Sequence, residues 1–123
     1  MTEKTTELGV KGEAAAVQYL QRIGMTIAEQ NWRCATGEVD IIALDGTDLV
    51  FVEVKTRRTS SAGTPEDAVS RTKQKRLVRL ARAYMAHAGV GPSTVRFDVI
   101  AIRVLSEDRA LLRHHRAAFL VES

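Results

Sequence analysis

The stretch from Gly37 to Lys55 (GEVDIIALDGTDLVFVEVK) constrains the fold of this chain more than any other. Two apolar runs flank Asp45-Gly46, the pattern of antiparallel strands joined by a tight turn. A turn centred between Gly46 and Thr47 sets Asp40 opposite Glu53 and Glu38 opposite Lys55. Side chains alternate faces along a strand, so these four are expected on one side of the sheet. The other side is Val39, Ile41, Ala43, Val50, Val52 and Val54. It has no polar residue and reads as core.

The charged side is itself apolar near the turn, where it carries Ile42, Leu44, Leu49 and Phe51. A strand pair apolar on both faces is usually covered on both. Carboxylates at the margin of such a surface are costly to ionise without a compensating cation. Lys55 brings one positive charge against Glu38, Asp40 and Glu53. A divalent ion between Asp40 and Glu53 would restore the balance, and carboxylate oxygens suit Mg²⁺ or Mn²⁺. A cross-strand salt-bridge cluster on a solvated edge answers the same pattern. The hairpin alone leaves both open.

A chain of 123 residues matches one domain with a single core. No run approaches the roughly 18 apolar residues of a membrane span, and no apolar signal segment opens the chain. Cys34 stands alone, which excludes an internal disulfide and a cysteine-based zinc site. These features favour a cytoplasmic protein without a membrane partner. The net charge of +3 is modest, but its distribution is not even. Arg57 and Arg58 follow the hairpin, and Arg71, Lys73, Lys75, Arg76, Arg79 and Arg82 crowd the next helix. A basic stripe beside an acidic pocket suits a polyanion held by its phosphates. A solvated helix face has the same composition.

The periodicity gives an α/β unit in the order α-β-β-β-α-β-β. The first helix is expected from Glu7 to Ile23 with Gly24 as its stop, and the second from Arg71 to Ala88 ended by Gly89. An irregular strand covers Met25 to Arg33, and later strands cover Val95 to Val104 and Leu111 to His114. Residues 1–6 and 57–65 read as flexible segments, the latter rich in Ser, Thr and Gly. On the first helix Glu13 shares a stripe with Ala16, Val17 and Leu20, which turns a carboxylate inward. On the second, Gln74 shares a stripe with Leu77, Ala81 and Tyr84. Glu13 also suits a first-turn position favoured by the helix dipole, and Gln74 also suits a satisfied core amide.

Asp40 on one hairpin strand and Glu53-Val54-Lys55 on its partner, in this order of elements, resemble the PD-(D/E)XK nuclease superfamily with its restriction-endonuclease-like fold. More closely, the chain resembles the YraN-type family of small bacterial proteins. The matching stretches are Gly12 to Ala15, Gly37 to Ile42, Val50 to Arg57, Lys73 to Leu77, Arg96 to Val99, and the late His114, Ala118 and Phe119. The resemblance implies a central mixed sheet flanked by helices and a metal-dependent nuclease acting on nucleic acid, more readily DNA. It implies that Asp40 and Glu53 bind the ion, with the Val54 carbonyl as a further ligand, and that Lys55 stands by the attacking water or the scissile phosphate. Glu13 matches an acidic position of the Holliday-junction resolvases, and Gln74 a position that orients substrate or water. Flanking phosphates would fall to Arg57, Arg58, Lys73, Lys75, Arg76 and Arg79. Asp98 and His114 match without a catalytic role. Resolvase relatives pair two sites in a homodimer; the apolar tail from Ala117 to Val121 suits such an interface and equally suits closing the core of a monomer. Val39 stands where the superfamily label has Pro, and Val78 where a RecB-type variant has Tyr. A non-catalytic nucleic-acid-binding module and an accessory protein that keeps the fold are the competing expectations.

Overall fold

The computed structural model describes residues 7–58, 69–90 and 94–119. Helix α1 (Glu7–Arg22) leads into strands β1 (Thr26–Cys34), β2 (Gly37–Asp45) and β3 (Asp48–Arg58). Helix α2 (Arg71–Ala88) follows, then β4 (Thr94–Ser106) and β5 (Arg109–His115). The strands form one mixed sheet in sequential order, antiparallel except for the parallel pair β3–β4. A parallel pair requires a crossover, and α2 lies in it. Among the described residues no helix is long and apolar enough to cross a membrane.

Local chemistry sets the helix ends where the periodicity put them. Gly24 follows α1 with φ +102°. Ser70 caps α2 by accepting from the Lys73 amide, and Gly89 closes it in the left-handed region at φ 68°. The strands β4 and β5 run longer than their apolar alternation suggested. Arg57 and Arg58, expected in a flexible loop, instead finish β3. They stand opposite Arg103 and Val104 in the parallel register, so β4 supplies partners for backbone groups that a loop would have left to water. The rest of that loop, 59–65, and residues 1–6 lie outside the described residues, as do 120 and 121 of the apolar tail.

Each helix covers its own face of the sheet. Leu49, Phe51, Phe97 and Val99 pack with Leu77, Leu80, Ala81 and Tyr84 of α2. Val50, Val52, Ile100 and Ile102 pack with Ala16 and Leu20 of α1. The two sets alternate along β3 and β4, the period of a strand buried on both sides. Each large side chain removed from water contributes about 1.5–3 kcal/mol.

A buried polar network ties the C-terminal residues to this core. The Asp98 side chain is fully buried on β4 and accepts from Arg96 Nε at 3.0 Å and Nη2 at 3.2 Å, and from the Ala117 amide at 3.0 Å. His114 Nε2 lies 2.7 Å from Asp98 Oδ2, and the Tyr19 hydroxyl of α1 lies 3.0 Å from His114 Nδ1. Arg96 also reaches Asp45 and Asp48 at the hairpin turn, at 3.0 and 3.5 Å. Past Ala117, which has φ 50°, the Ala118 amide donates to the Phe97 carbonyl and Phe119 stacks on the Phe97 ring. One carboxylate therefore joins β4, β5, the hairpin and α1. Burial works against its ionisation, but hydrogen bonds from His114, Arg96 and Ala117 and the Arg96 charge outweigh that and hold it below the usual carboxylate range.

A depressed carboxylate stabilises the fold fully above its unfolded-state pKa of about 3.9 and loses that effect as pH falls through its lower folded-state value. Asp98→Asn should cost about 3–5 kcal/mol in urea denaturation at neutral pH, because it removes the buried charge to which Arg96, His114 and the Ala117 amide are bonded. The gap between wild type and variant should narrow below about pH 4. A gap of constant size down to pH 3 would contradict this assignment.

Candidate functional site

The β2–β3 ladder runs from Asp45–Asp48 to Ile41–Val52 and stops there. Beyond it the Val54 amide donates to Asp40 Oδ2 at 2.9 Å, so a side chain takes the place of a strand partner. The opposite edge of β2 is irregular too. The β1 register shifts between Ile27 and Glu29, and Asn31, which stands opposite Asp40, has φ 53°. Asn is among the few residues that adopt this left-handed conformation at low cost. The pleat changes here. Val39 belongs to the cluster under α2 and Ile41 to the cluster under α1, although residues two apart in a regular strand share a face.

That interruption rearranges the expected charged face. Glu38 and Asp40 gather with Glu13 of α1, each offering an oxygen, and these oxygens all lie within 4.8 Å of one another. Glu53 turns instead to α2, where Lys73 Nζ donates to its Oε2 at 3.2 Å. The four hairpin residues do not share one side as simple parity had implied, and Val39 does not share a cluster with Ile41. Parity counting fails because it has no term for a left-handed residue in the neighbouring strand.

Each expected site residue has a definite place. Glu13 is half-buried on the inward stripe that ends in the buried Ala16 and Leu20. Asp40 is 8% exposed. Lys55 is half-buried on β3, two residues beyond Glu53. Val54 contributes its amide to Asp40. Gln74 donates from Nε2 to the Val69 carbonyl at 2.8 Å, the satisfied amide that its stripe also allowed. Glu38, whose role the motifs left undefined, joins the cluster. Its side chain is 8% exposed, Arg33 Nε holds Oε1 at 3.1 Å, and among the described residues Oε2 is buried without a hydrogen bond. Arg33 was missed because β1 offered no periodic signal. Its place follows only from the cross-strand pairing with Glu38.

The donor set fits a hard divalent cation. Octahedral Mg²⁺ at about 2.1 Å sets its oxygens roughly 3 Å apart as neighbours and about 4.2 Å apart across the ion. A spread of up to 4.8 Å is therefore within a small side-chain rotation of such a shell. Glu13, Glu38 and Asp40 would be the carboxylate ligands. Three carboxylates this close repel one another, which a shared cation relieves.

The basic residues divide between surfaces. Arg71, Lys75, Arg79 and Arg82 are placed at helical spacing on α2, on the side away from its buried Leu77, Leu80, Ala81 and Tyr84. Arg76 is exposed near the start of β2, where a Cβ at Gly37 would touch its stem. Lys73 and Arg57 are half-buried, and Arg58 is exposed. Arg58 lines a groove of about 980 Å³ between α1 and the β4–β5 turn. Lys11 and Arg109 line it as well, but so do Glu7, Glu107 and Asp108, and none of Glu13, Glu38, Asp40 and Glu53 does. Its mixed charge does not suit a polyanion.

Comparison with known proteins gives consistent matches. The family described as "Uncharacterised protein family UPF0102" matches residues 12–102, a span that holds Glu13, Arg33, Glu38, Asp40, Glu53 and Lys73. A UPF0102 protein of Geobacter sulfurreducens is 48% identical over 112 residues, covering 91% of this chain and 88% of its own length. One from Kineococcus radiotolerans is 47% identical over 108 residues, covering 87% and 88%. One from Chlorobium chlorochromatii is 45% identical over 123 residues, covering 96% and 95%.

The position of Glu13 depends on how closely α1 approaches β3. Gly12 is buried against Thr56, and a Cβ there would collide with the Thr56 hydroxyl. Gly12→Ala should therefore push α1 outward and cost about 1–3 kcal/mol of stability by thermal or urea denaturation. Adding Thr56→Ala to that variant should recover part of the loss. If Gly12→Ala proves as stable as wild type, the contact does not set the helix position.

Proposed function

We propose that this chain, which belongs to the protein family UPF0102, is a metal-dependent nuclease. In this reading it has a restriction-endonuclease-like core and hydrolyses phosphodiester bonds in structured or branched DNA. The observation that carries the reading is the convergence of Glu13, Glu38 and Asp40 where the hairpin ladder ends. Carboxylates from two separate elements meet there at a spacing that a shared divalent ion can bridge.

The division of work follows from the chemistry of phosphodiester hydrolysis. A bound Mg²⁺ or Mn²⁺ supplies Lewis-acid polarisation of the phosphoryl oxygen and a water of lowered pKa. Glu13, Glu38 and Asp40 hold that charge, and Val54 fixes Asp40 through its amide. Glu53 is one residue from that amide and can supply a further oxygen. Lys55, close along β3, stabilises the negative charge that develops on the phosphate. Arg71, Lys75, Arg76, Arg79 and Arg82 bind flanking phosphates, contacts that position a duplex without reading its bases. Selectivity then comes from nucleic-acid shape, which favours flaps and junctions over a base sequence.

The test is a panel of flap, junction, nicked and linear DNA incubated with purified protein and Mg²⁺ or Mn²⁺. Branched substrates should be cut, and Asp40→Asn or Lys55→Ala should reduce the rate about a hundredfold or more while binding persists. Loss of binding together with cutting in Lys55→Ala would reassign that lysine to phosphate holding. Uncut substrates across the panel, with DNA still bound, would replace the enzyme with a binding module.

A further inference from the structure

Glu53 stands beside the carboxylate cluster in sequence and backbone, yet its side chain is engaged elsewhere. Its Cα immediately precedes Val54, whose amide is bonded to Asp40. Its carboxylate is bonded to Lys73 at 3.2 Å and lies outside the group formed by Glu13, Glu38 and Asp40. The contact is partly sheltered, with Glu53 15% and Lys73 41% exposed. Lys73 lies in the first turn of α2, which contains no acidic residue. The helix dipole adds positive potential at that end, so Glu53 is held by the local field as well as by the ion pair. A glutamate has enough side-chain torsions to choose between two cationic partners.

We propose that Lys73 is a positioning residue that keeps Glu53 turned to α2 and off the Glu13–Glu38–Asp40 cluster. The fourth carboxylate then joins only when a divalent ion is present to compete for it. This rests on the metal-centre reading above. It makes divalent-ion affinity a balance between one lysine and the ion, and it couples α2 to the site through a single contact. The cost of opening an ion pair of this exposure is modest, equivalent to about a twofold to fivefold change in affinity.

Mn²⁺ titration of the protein without DNA, followed by electron paramagnetic resonance, tests this without reference to activity. Lys73→Met should tighten Mn²⁺ binding about twofold to fivefold. Lys73→Arg, which keeps the charge, should stay near wild type. Glu53→Gln should weaken binding, and the double variant should match Glu53→Gln alone, because the lysine acts through that carboxylate. Unchanged affinity in Lys73→Met would overturn the proposal. So would a gain that survives in the Glu53→Gln background, since it would report only the removal of a nearby positive charge. If wild type binds Mn²⁺ and Asp40→Asn abolishes it while Lys73→Met has no effect, the metal centre stands and only the latch is lost. If wild type binds no Mn²⁺, both fail.

Discussion

The hydrogen bond from the Val54 amide to Asp40 marks the point on which the arrangement of the site depends. Up to Ile41–Val52 the hairpin is an ordinary ladder, closed by main-chain bonds. Beyond it, an amide of a largely buried strand would carry a desolvation cost of about 1–3 kcal/mol if left without a partner. The Asp40 carboxylate meets it at 2.9 Å, and being charged it is a stronger acceptor than a carbonyl. The same contact holds Asp40 in one orientation at 8% exposure. Asn31, in the left-handed region across from it, lets β1 follow the change of pleat. Together these turn Glu38 and Asp40 towards Glu13 and leave Glu53 to α2.

Two strands away, in register with Val52, the buried Asp98 of β4 is built on a different principle. Asp98 is sealed from solvent and answered by an arginine, a histidine and an amide, and the arginine extends the network to Asp45 and Asp48. Its charges are matched by fixed partners, which suits a structural joint. The cluster of Glu13, Glu38 and Asp40 instead brings carboxylates of two elements together, with Arg33 on Glu38 and the Val54 amide on Asp40. The first is a structural joint, and the second is the donor set on which the proposed function draws.

Much of this was legible in the sequence because it rests on local rules. Gly24 and Gly89 end helices by permitting positive φ, and the 3.6-residue spacing of Glu13, Ala16 and Leu20 turns Glu13 inward. The hairpin register, with Leu44 opposite Leu49 and Ile42 opposite Phe51, follows from the Asp45-Gly46 turn. The resemblance to a family of small bacterial proteins is borne out by the matched span and by relatives 48% and 45% identical. What could not be read is non-local. The change of pleat beside the left-handed Asn31 could not be read, so Glu53 kept its expected side with Ile42 and Phe51 while the sides of Glu38, Val39 and Asp40 came out wrong. The pairing of Arg33 with Glu38 depends on a strand register set by a bulge at Ala28. Arg57 and Arg58 looked like loop because their partners on β4, Arg103 and Val104, are distant in sequence.

The central claim is that α1 and the end of the hairpin build a centre for a divalent ion. Anomalous diffraction from crystals soaked in Mn²⁺ tests it most directly. The expected result is a peak about 2.0–2.2 Å from one oxygen each of Glu13, Glu38 and Asp40, lost in Asp40→Asn crystals. A peak confined to other carboxylates, or none with those three side chains ordered, would contradict it.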